Sequence, residues 1–151
     1  MKMKIRRVVT GHDENGKAAV KWDSEIESVS GRPGFSRAEM WATKQLPPIL
    51  TDEDPRTWEI GTSIASGSVF RIIKFDPGVA GRRHVTESID YAIVLSGEID
   101  MELAEGEEVH LNAGDVLIQR ATIHNWTNRG KAPCVIAFIL LGLEGGKPTG
   151  W

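Results

Sequence analysis

Short apolar runs separated by closely spaced turn signals constrain the fold of this chain more than any other feature of its sequence. Between residues 67 and 142 the runs alternate with turn residues about every 6 to 12 positions. Gly, Asn, Asp and Pro supply the backbone angles of tight turns, and they cluster at 76–78, 96–98, 105–107, 112–115 and 128–131. Helical candidates are confined to 35–41 and 52–56. The pattern predicts an all-β, antiparallel sandwich or closed barrel.

The N-terminal part of the chain has its own strand signals. Apolar runs at 5–10 and 18–22 flank the segment 13–17, which contains Asn15-Gly16. Asn-Gly readily adopts the positive φ angles of a tight turn, so we expect a β-hairpin here. The segments 24–34 and 47–55 are predicted to be loops. We therefore divide one domain into an N-terminal hairpin and loops (1–66), the main β-structure (67–142) and a loose tail (143–151).

Charge and composition exclude several classes of partner. The net charge is −3 and the basic residues are dispersed, which disfavours nucleic-acid binding. No apolar run reaches the roughly 18 residues of a membrane span, and the basic start is followed by too short an apolar run for a signal peptide. The lone Cys134 stands in an apolar run and is expected to be buried. We expect a soluble, cytoplasmic protein with no nucleic-acid or membrane partner.

Three side chains at separated positions are candidates for a common site. His84 and Asp90 flank a predicted strand bend, and His124 lies about forty residues further on. Alternate residues on a strand face the same side, so Thr86 is expected to point inward with His84, and Trp126 with His124. Two imidazoles and one carboxylate form a ligand set for a divalent first-row metal. A hydrogen-bonded polar pocket without metal is the alternative, whereas His12 and His110 are expected at the surface.

Two sequence stretches carry a family resemblance. The first runs from Gly78 through His84 and Asp90 to Gly97, and the second covers 114–128 with His124 and Asn128 near its end. The spacing of these glycines, histidines, acid and asparagine resembles the paired motifs of the cupin superfamily. The resemblance covers roughly residues 67–142. It implies an antiparallel double-stranded β-helix (a jelly-roll barrel), to which the predicted hairpin is an N-terminal extension.

This chain departs from the family pattern at the positions that hold metal. Typical members bind their metal through three histidines and one glutamate, but Thr86 replaces one histidine and Asp90 replaces the glutamate. The second motif is one residue short and lacks the usual proline. The resemblance implies a degenerate site in which His84, Asp90 and His124 hold one divalent metal (Zn, Fe, Mn or Ni), or a relic site without metal.

The family resemblance implies a function on small molecules. We expect a lyase- or isomerase-like enzyme acting on a small organic acid or carbonyl compound, because loss of a histidine weighs against oxygen activation. Asp90 is the candidate base and Tyr91 a helper. One of Arg82, Arg83 and Arg120 is the candidate clamp for a substrate carboxylate, with Arg83 and Arg120 favoured. A non-catalytic ligand-binding cupin and a metal-dependent dioxygenase are the alternatives.

The apolar N-terminal segment also predicts self-association. The hairpin from Ile5 to Trp22, with Trp41 beyond it, offers more apolar surface than a small barrel needs. Since two-fold dimers are the commonest closed assembly, we expect a homodimer in which this segment helps form the interface.

Overall fold

A computed structural model describes residues 2–149 of the chain, so Met1, Gly150 and Trp151 lie outside the described part. The described residues form eleven strands and two single-turn 3₁₀ helices, at Pro55–Thr57 and Ala104–Gly106. The strands are β1 (Lys4–His12), β2 (Ala18–Glu27), β3 (Val29–Ser30), β4 (Phe35–Thr43), β5 (Ser68–Phe75), β6 (Ser88–Ser96), β7 (Glu98–Glu102), β8 (Glu108–Asn112), β9 (Val116–Arg120), β10 (Asn125–Thr127) and β11 (Cys134–Gly142). Neither helix is long enough to span a membrane.

Three antiparallel sheets organise these strands. The largest has the order β3-β4-β5-β11-β6-β9, the second has the order β10-β7-β8, and β1 pairs with β2. The predicted all-β, antiparallel double-stranded β-helix is confirmed. The expected closed barrel is not formed within residues 2–149, because β3 and β9 remain edges of the largest sheet and the other two sheets pair separately.

The main core lies between the six-stranded and three-stranded sheets. Alternate residues of β5 and β11 project into it, including Val69, Phe75, Ile136 and Phe138, each at most 5% exposed. Buried Cys134 joins this core, as its apolar surroundings predict. The apolar spacing of the sequence therefore builds one interior layer, and the site described below opens into that layer.

A second, smaller core lies on the opposite face of the six-stranded sheet. Ile26 from the hairpin β1–β2 packs there with Met40, Ile72 and Ala137. Because β4 pairs with β5 along its length, the N-terminal segment is an integral part of the main sheet.

Two local predictions for the N-terminal segment are wrong. The helical candidate 35–41 is the strand β4, whose alternating burial follows from pairing with β5, beginning at Phe35 opposite Phe75. The predicted loop 24–34 contains the end of β2 and all of β3, since Glu27 pairs with Lys4. In both cases a partner strand distant in sequence decides the conformation.

The C-terminal segment is held by hydrogen bonds over its described part. The backbone N–H of Thr62 donates to the carbonyl oxygen of Thr149 at 2.7 Å. The backbone N–H of Thr149 donates to Ser63 Oγ at 3.1 Å. The backbone N–H of Lys147 donates to the Glu87 carboxylate. The tail, predicted to be loose, is therefore tied to two segments of the main fold up to residue 149.

Candidate functional site

A small cavity between the two larger sheets contains most of the predicted site residues. Its walls include His84, Thr86, Asp90, His124 and Trp126. The cavity volume is about 40 Å³, which exceeds the roughly 15 Å³ that one water molecule requires. The space can hold a few waters or the polar head of a small molecule.

Backbone pairing places the two histidines side by side. His84 and His124 form an isolated antiparallel bridge in which each backbone N–H donates to the other residue's carbonyl at 3.0 Å. Directly opposed residues of an antiparallel pair project to the same face. The imidazole centroids consequently lie 4.4 Å apart, with the rings tilted by 55°.

Local hydrogen bonds fix the chemical form of both imidazoles. Nδ1–H of His84 donates to the carbonyl oxygen of Arg82, and Nδ1–H of His124 donates to that of Thr122, both at 2.8 Å. This tautomer leaves a lone pair on each Nε2. Burial lowers the pKa of His84 to about 4, with nearby positive charge acting in the same direction. Burial also lowers the pKa of His124, so both rings are neutral bases near pH 7.

Asp90 lines the cavity from β6 and is only 5% exposed. Gln119 Nε2 donates to one carboxylate oxygen at 2.8 Å, and the Ser88 hydroxyl donates to the other. Burial raises the pKa of Asp90, while these two hydrogen bonds act to lower it. Gln119 is itself oriented by Thr122, whose backbone N–H and hydroxyl both donate to Gln119 Oε1. Asp90 is therefore a rigidly held carboxylate.

Three arginines also line the cavity: Arg82, which was a candidate clamp, and Arg32 and Arg71, which the sequence did not predict. Arg71 is 1% exposed and donates to Glu39 at 3.1 Å and to the carbonyl oxygen of Gly61 at 2.7 Å. Arg32 donates to the carbonyl oxygen of Ala80, and burial lowers its pKa. With one carboxylate and three guanidinium groups, the cavity wall favours an anionic ligand.

Three of the predicted site residues do not line the cavity. Tyr91 is 41% exposed on the outer face of β6, because it alternates with inward-facing Asp90. Arg120 is exposed next to buried Gln119 on β9 for the same reason. Arg83 is exposed, and its guanidinium donates to the carbonyl oxygen of Leu103 at 2.8 Å. The structure therefore does not bring Tyr91, Arg83 or Arg120 to the cavity, and of the three candidate clamps only Arg82 lies there.

Of the two arginines that the sequence analysis did not predict, Arg71 carries a sequence signal. Arg71 falls in the same alternating register as the apolar residues Val69 and Ile73 on a strand that was itself predicted. A charged residue at an inward position marks either a buried ion pair or a ligand site. Arg32 has no comparable signal, because it reaches the cavity from a loop whose position depends on distant contacts.

The cavity side chains do not fit the metal centre that the family resemblance implies. The two Nε2 lone pairs are suitable donors, but both oxygens of Asp90 already accept hydrogen bonds. Within residues 2–149, no group of three or more His, Cys, Asp or Glu side chains is arranged to hold a metal ion. Buried Thr86 contributes a hydroxyl where typical members have an imidazole.

Fold and cavity together define a double-stranded β-helix protein with a small-molecule function. The family model Cupin_2, described as a cupin domain, matches residues 71–140. The chain is 35% identical over 148 residues to the cupin-domain-containing oxidoreductase fogC of Aspergillus ruber, covering 91% of this chain and 72% of that protein. This chain belongs to the cupin-domain family.

Two further similarities agree with that assignment. Phomopsin biosynthesis cluster protein C' of Diaporthe leptostromiformis is 39% identical over 134 residues, covering 82% of this chain and 70% of that protein. The solved structure of KdgF from Halomonas sp. has a TM-score of 0.53 at 21% identity, over 77% of this chain and 88% of that chain. The latter similarity supports the fold alone.

Proposed function

We propose that this cupin is an enzyme of the lyase or isomerase type that moves a proton on a small organic acid. The observation that carries the proposal is the pair of neutral imidazoles, each with a free Nε2 lone pair, in a cavity lined by guanidinium groups. A neutral imidazole accepts a proton, and a guanidinium binds a carboxylate and stabilises negative charge that develops beside it.

The roles follow from position and charge. Arg82 and Arg32, which both act electrostatically on His84, bind the substrate carboxylate near that ring. His124 is the base, because it is 2% exposed and has the Asp90 carboxylate near it. Its Nε2 takes a proton from the carbon beside a carbonyl or carboxylate, and the C–H electron pair passes to an enolate. Asp90 then stabilises the imidazolium until the proton is returned at another position.

Apolar side chains close the other side of the cavity. The Trp126 ring centroid lies 5.6 Å from that of Phe138 and 6.1 Å from that of Phe75, and Trp126 is 5% exposed. Edge-to-face packing on Phe138 and tilted packing on Phe75 fix the Trp126 ring, and the three rings keep bulk water from the imidazoles. Because charges interact more strongly where water is excluded, this wall supports both proton transfer and enolate stabilisation.

Proton transfer can be measured without knowing the natural substrate. In deuterated buffer, we expect the wild type to catalyse exchange of carbon-bound hydrogen in at least one member of a panel of small 2-oxo and 3-oxo acids, followed by NMR. His124→Gln should slow exchange by about 10²- to 10⁴-fold, the usual contribution of a general base. His110→Gln is the control, since His110 lies on the exposed strand β8. Equal rates in both variants would contradict the assignment.

Carboxylate binding is tested separately with two adjacent arginines. Arg82 lines the cavity whereas Arg83 is exposed outside it. We expect Arg82→Gln to weaken binding of the exchanging acid by about 10- to 100-fold, the loss of a charge-assisted contact. Arg83→Gln should bind as the wild type does, as measured by calorimetric titration. A protein that binds the acid but exchanges none of its hydrogens is a ligand-binding module instead.

The curated relatives favour a second candidate. The Aspergillus ruber relative is described as an oxidoreductase, so oxidation or reduction of the same acid by this chain is the competing reaction. Mass spectrometry of the product distinguishes the two candidates. Isomerisation leaves the mass unchanged and a lyase reaction splits off a small molecule. Oxidation by oxygen or an added electron acceptor removes two hydrogen atoms or adds oxygen, and reduction by an added electron donor adds two hydrogen atoms.

A further inference from the structure

One hydroxyl on the cavity wall is buried without a hydrogen-bond partner among residues 2–149. Thr86 is 1% exposed and lines the cavity, whereas the preceding Val85 is 46% exposed at the surface. No described residue bonds to the Thr86 hydroxyl. Unlike the sealed hydroxyl of Ser36, it remains accessible from the cavity. Because buried polar groups almost always have a partner, this hydroxyl indicates a partner that enters the cavity.

The hydroxyl of Ser88 nearby is used differently. Ser88 is fully buried and its hydroxyl donates to one oxygen of Asp90. The other oxygen of Asp90 accepts from Gln119 Nε2 at 2.8 Å. Asp90 is therefore served by these two donors, and the proton of Thr86 is left for a bound molecule.

The surrounding groups select what Thr86 can bind. The imidazoles of His84 and His124 present lone pairs on Nε2, and the arginines on the wall present charged donors. A carboxylate is bound best by guanidinium groups, whereas a hydroxyl is a neutral donor that suits a neutral acceptor. The complementary group on an organic acid is a carbonyl oxygen.

The size of the cavity limits the distance between this carbonyl and the carboxylate. A volume of about 40 Å³ accommodates only the polar head of a ligand. The head is most compact when the carbonyl and the carboxylate are on adjacent carbons, as in a 2-oxo acid. In a 3-oxo acid a further carbon separates the two groups and lengthens the head.

We propose that Thr86 is a substrate-binding residue that selects a 2-oxo acid by donating its hydroxyl to the carbonyl oxygen on C2. The inference rests on the proposed function, because it names the substrate class of the same cavity. In the reaction, the proton on C3 passes to His124, the C–H electron pair forms the C2–C3 double bond, and the carbonyl π pair moves onto oxygen. Thr86 keeps its own proton, and its hydrogen bond strengthens as that oxygen becomes negative.

Calorimetric titration with three acids of equal chain length tests the recognition step. We expect the wild type to bind 2-oxobutanoate about 5- to 10-fold more tightly than butanoate, the contribution of one neutral hydrogen bond. It should also bind 2-oxobutanoate more tightly than 3-oxobutanoate. Thr86→Val removes the hydroxyl and keeps the branched shape, so it should bind 2-oxobutanoate and butanoate alike. Thr86→Ser should restore the preference, and Thr10→Val, at an exposed position on β1, is the control.

Exchange of the C3 hydrogens of 2-oxobutanoate in deuterated buffer tests the effect on the reaction. At saturating acid, Thr86→Val should slow exchange by about 10²-fold, the usual cost of removing one donor to a developing oxyanion. This loss exceeds the loss of affinity, because the hydrogen bond is stronger to the charged oxygen. His124→Gln should lose exchange but keep the binding preference, which separates recognition from proton transfer.

Several results would overturn the proposal. They are a wild type that binds none of the three acids, equal binding of butanoate and 2-oxobutanoate, tighter binding of 3-oxobutanoate, and a Thr86→Val variant that keeps the wild-type preference. A denaturant midpoint of Thr86→Val well below that of Thr10→Val would also do so, since it would give the hydroxyl a structural partner. A wild type with the predicted preference but no exchange would count against the lyase or isomerase reaction alone.

Discussion

At the scale of single residues, the two histidines have the same local arrangement. In each, Nδ1–H donates to the carbonyl oxygen two residues earlier, and the backbones of the two residues pair with each other. This geometry selects the tautomer with a basic Nε2, and burial keeps both rings neutral. The chemistry of the site therefore depends on backbone contacts that a side-chain motif does not specify.

The neutral state of His84 predicts a pH dependence of stability. The pKa of His84 is about 4 in the folded protein, below the usual value of 6.5 that the unfolded chain retains. Between those values the unfolded state binds a proton that the folded state does not, so the free energy of unfolding falls as pH decreases. The lowered pKa of His124 acts in the same direction, and the raised pKa of Asp90 acts in the opposite one.

We expect His84→Gln to lose less stability than the wild type between pH 7 and pH 4.5. The loss of unfolding free energy between these pH values should be smaller in the variant by about 1 to 2 kcal/mol, a value already reduced for the partial exposure of the ring. Urea unfolding at both pH values measures it. His12→Gln, which changes an exposed residue on β1, is the control and should behave as the wild type. The same pH dependence in His84→Gln and wild type would show that this ring does not titrate as proposed.

At the scale of elements, the two glycines that bound the first motif have different functions. Gly78 and Gly97 both adopt positive φ angles, of +70° and +77°. A Cβ atom on Gly97 would lie 2.4 Å from the carbonyl oxygen of Pro133, whereas one on Gly78 would have no neighbour within 4 Å. Gly97 thus permits close approach of the β6–β7 turn to the start of β11. Gly78 is needed only for the backbone conformation of its own turn.

Alanine substitutions separate these two requirements. Gly78→Ala should cost about 1 kcal/mol of unfolding free energy through backbone strain alone. Gly97→Ala should cost about 3 kcal/mol or more, since the turn must also move away from Pro133. Denaturant unfolding of both variants measures the difference. Equal losses of unfolding free energy in the two variants would mean that the β6–β7 turn moves away from Pro133 at no cost.

At the scale of the whole molecule, the six-stranded sheet joins two cores. Strand β5 directs Ile73 into the main core and Ile72 into the smaller core beneath the hairpin. Strand β11 likewise contributes Ile136 to the main core and Ala137 to the smaller one. Loss of either core would therefore expose one face of the strands on which the other core depends.

This sharing predicts a single cooperative unfolding transition. Trp41 lies beside the hairpin, and Trp126 lies in the main core. In Trp41→Phe and in Trp126→Phe, tryptophan fluorescence and far-UV circular dichroism should give the same denaturant midpoint. Two separated midpoints would show that the N-terminal hairpin unfolds independently of the main β-structure.

The sequence by itself determined the β-class, the cupin family and six residues of the cavity wall. These follow from local rules, since turn residues bound each strand and period-two alternation places His84, Thr86 and Asp90 on one side. Tyr91 directly follows Asp90, so the same alternation places Tyr91 on the opposite face of the sheet, outside the cavity.

Only the tertiary structure decided the features that depend on distant partners. The segment 35–41 is a strand because β5 pairs with it, and Arg32 reaches the cavity because its loop is held by bonds such as Asp76 N–H to the carbonyl oxygen of Gly34, at 2.8 Å. Likewise, both carboxylate oxygens of Asp90 accept hydrogen bonds only because Gln119 lies opposite Asp90 on the neighbouring strand β9. Each of these contacts joins residues far apart along the chain, and no local propensity encodes them.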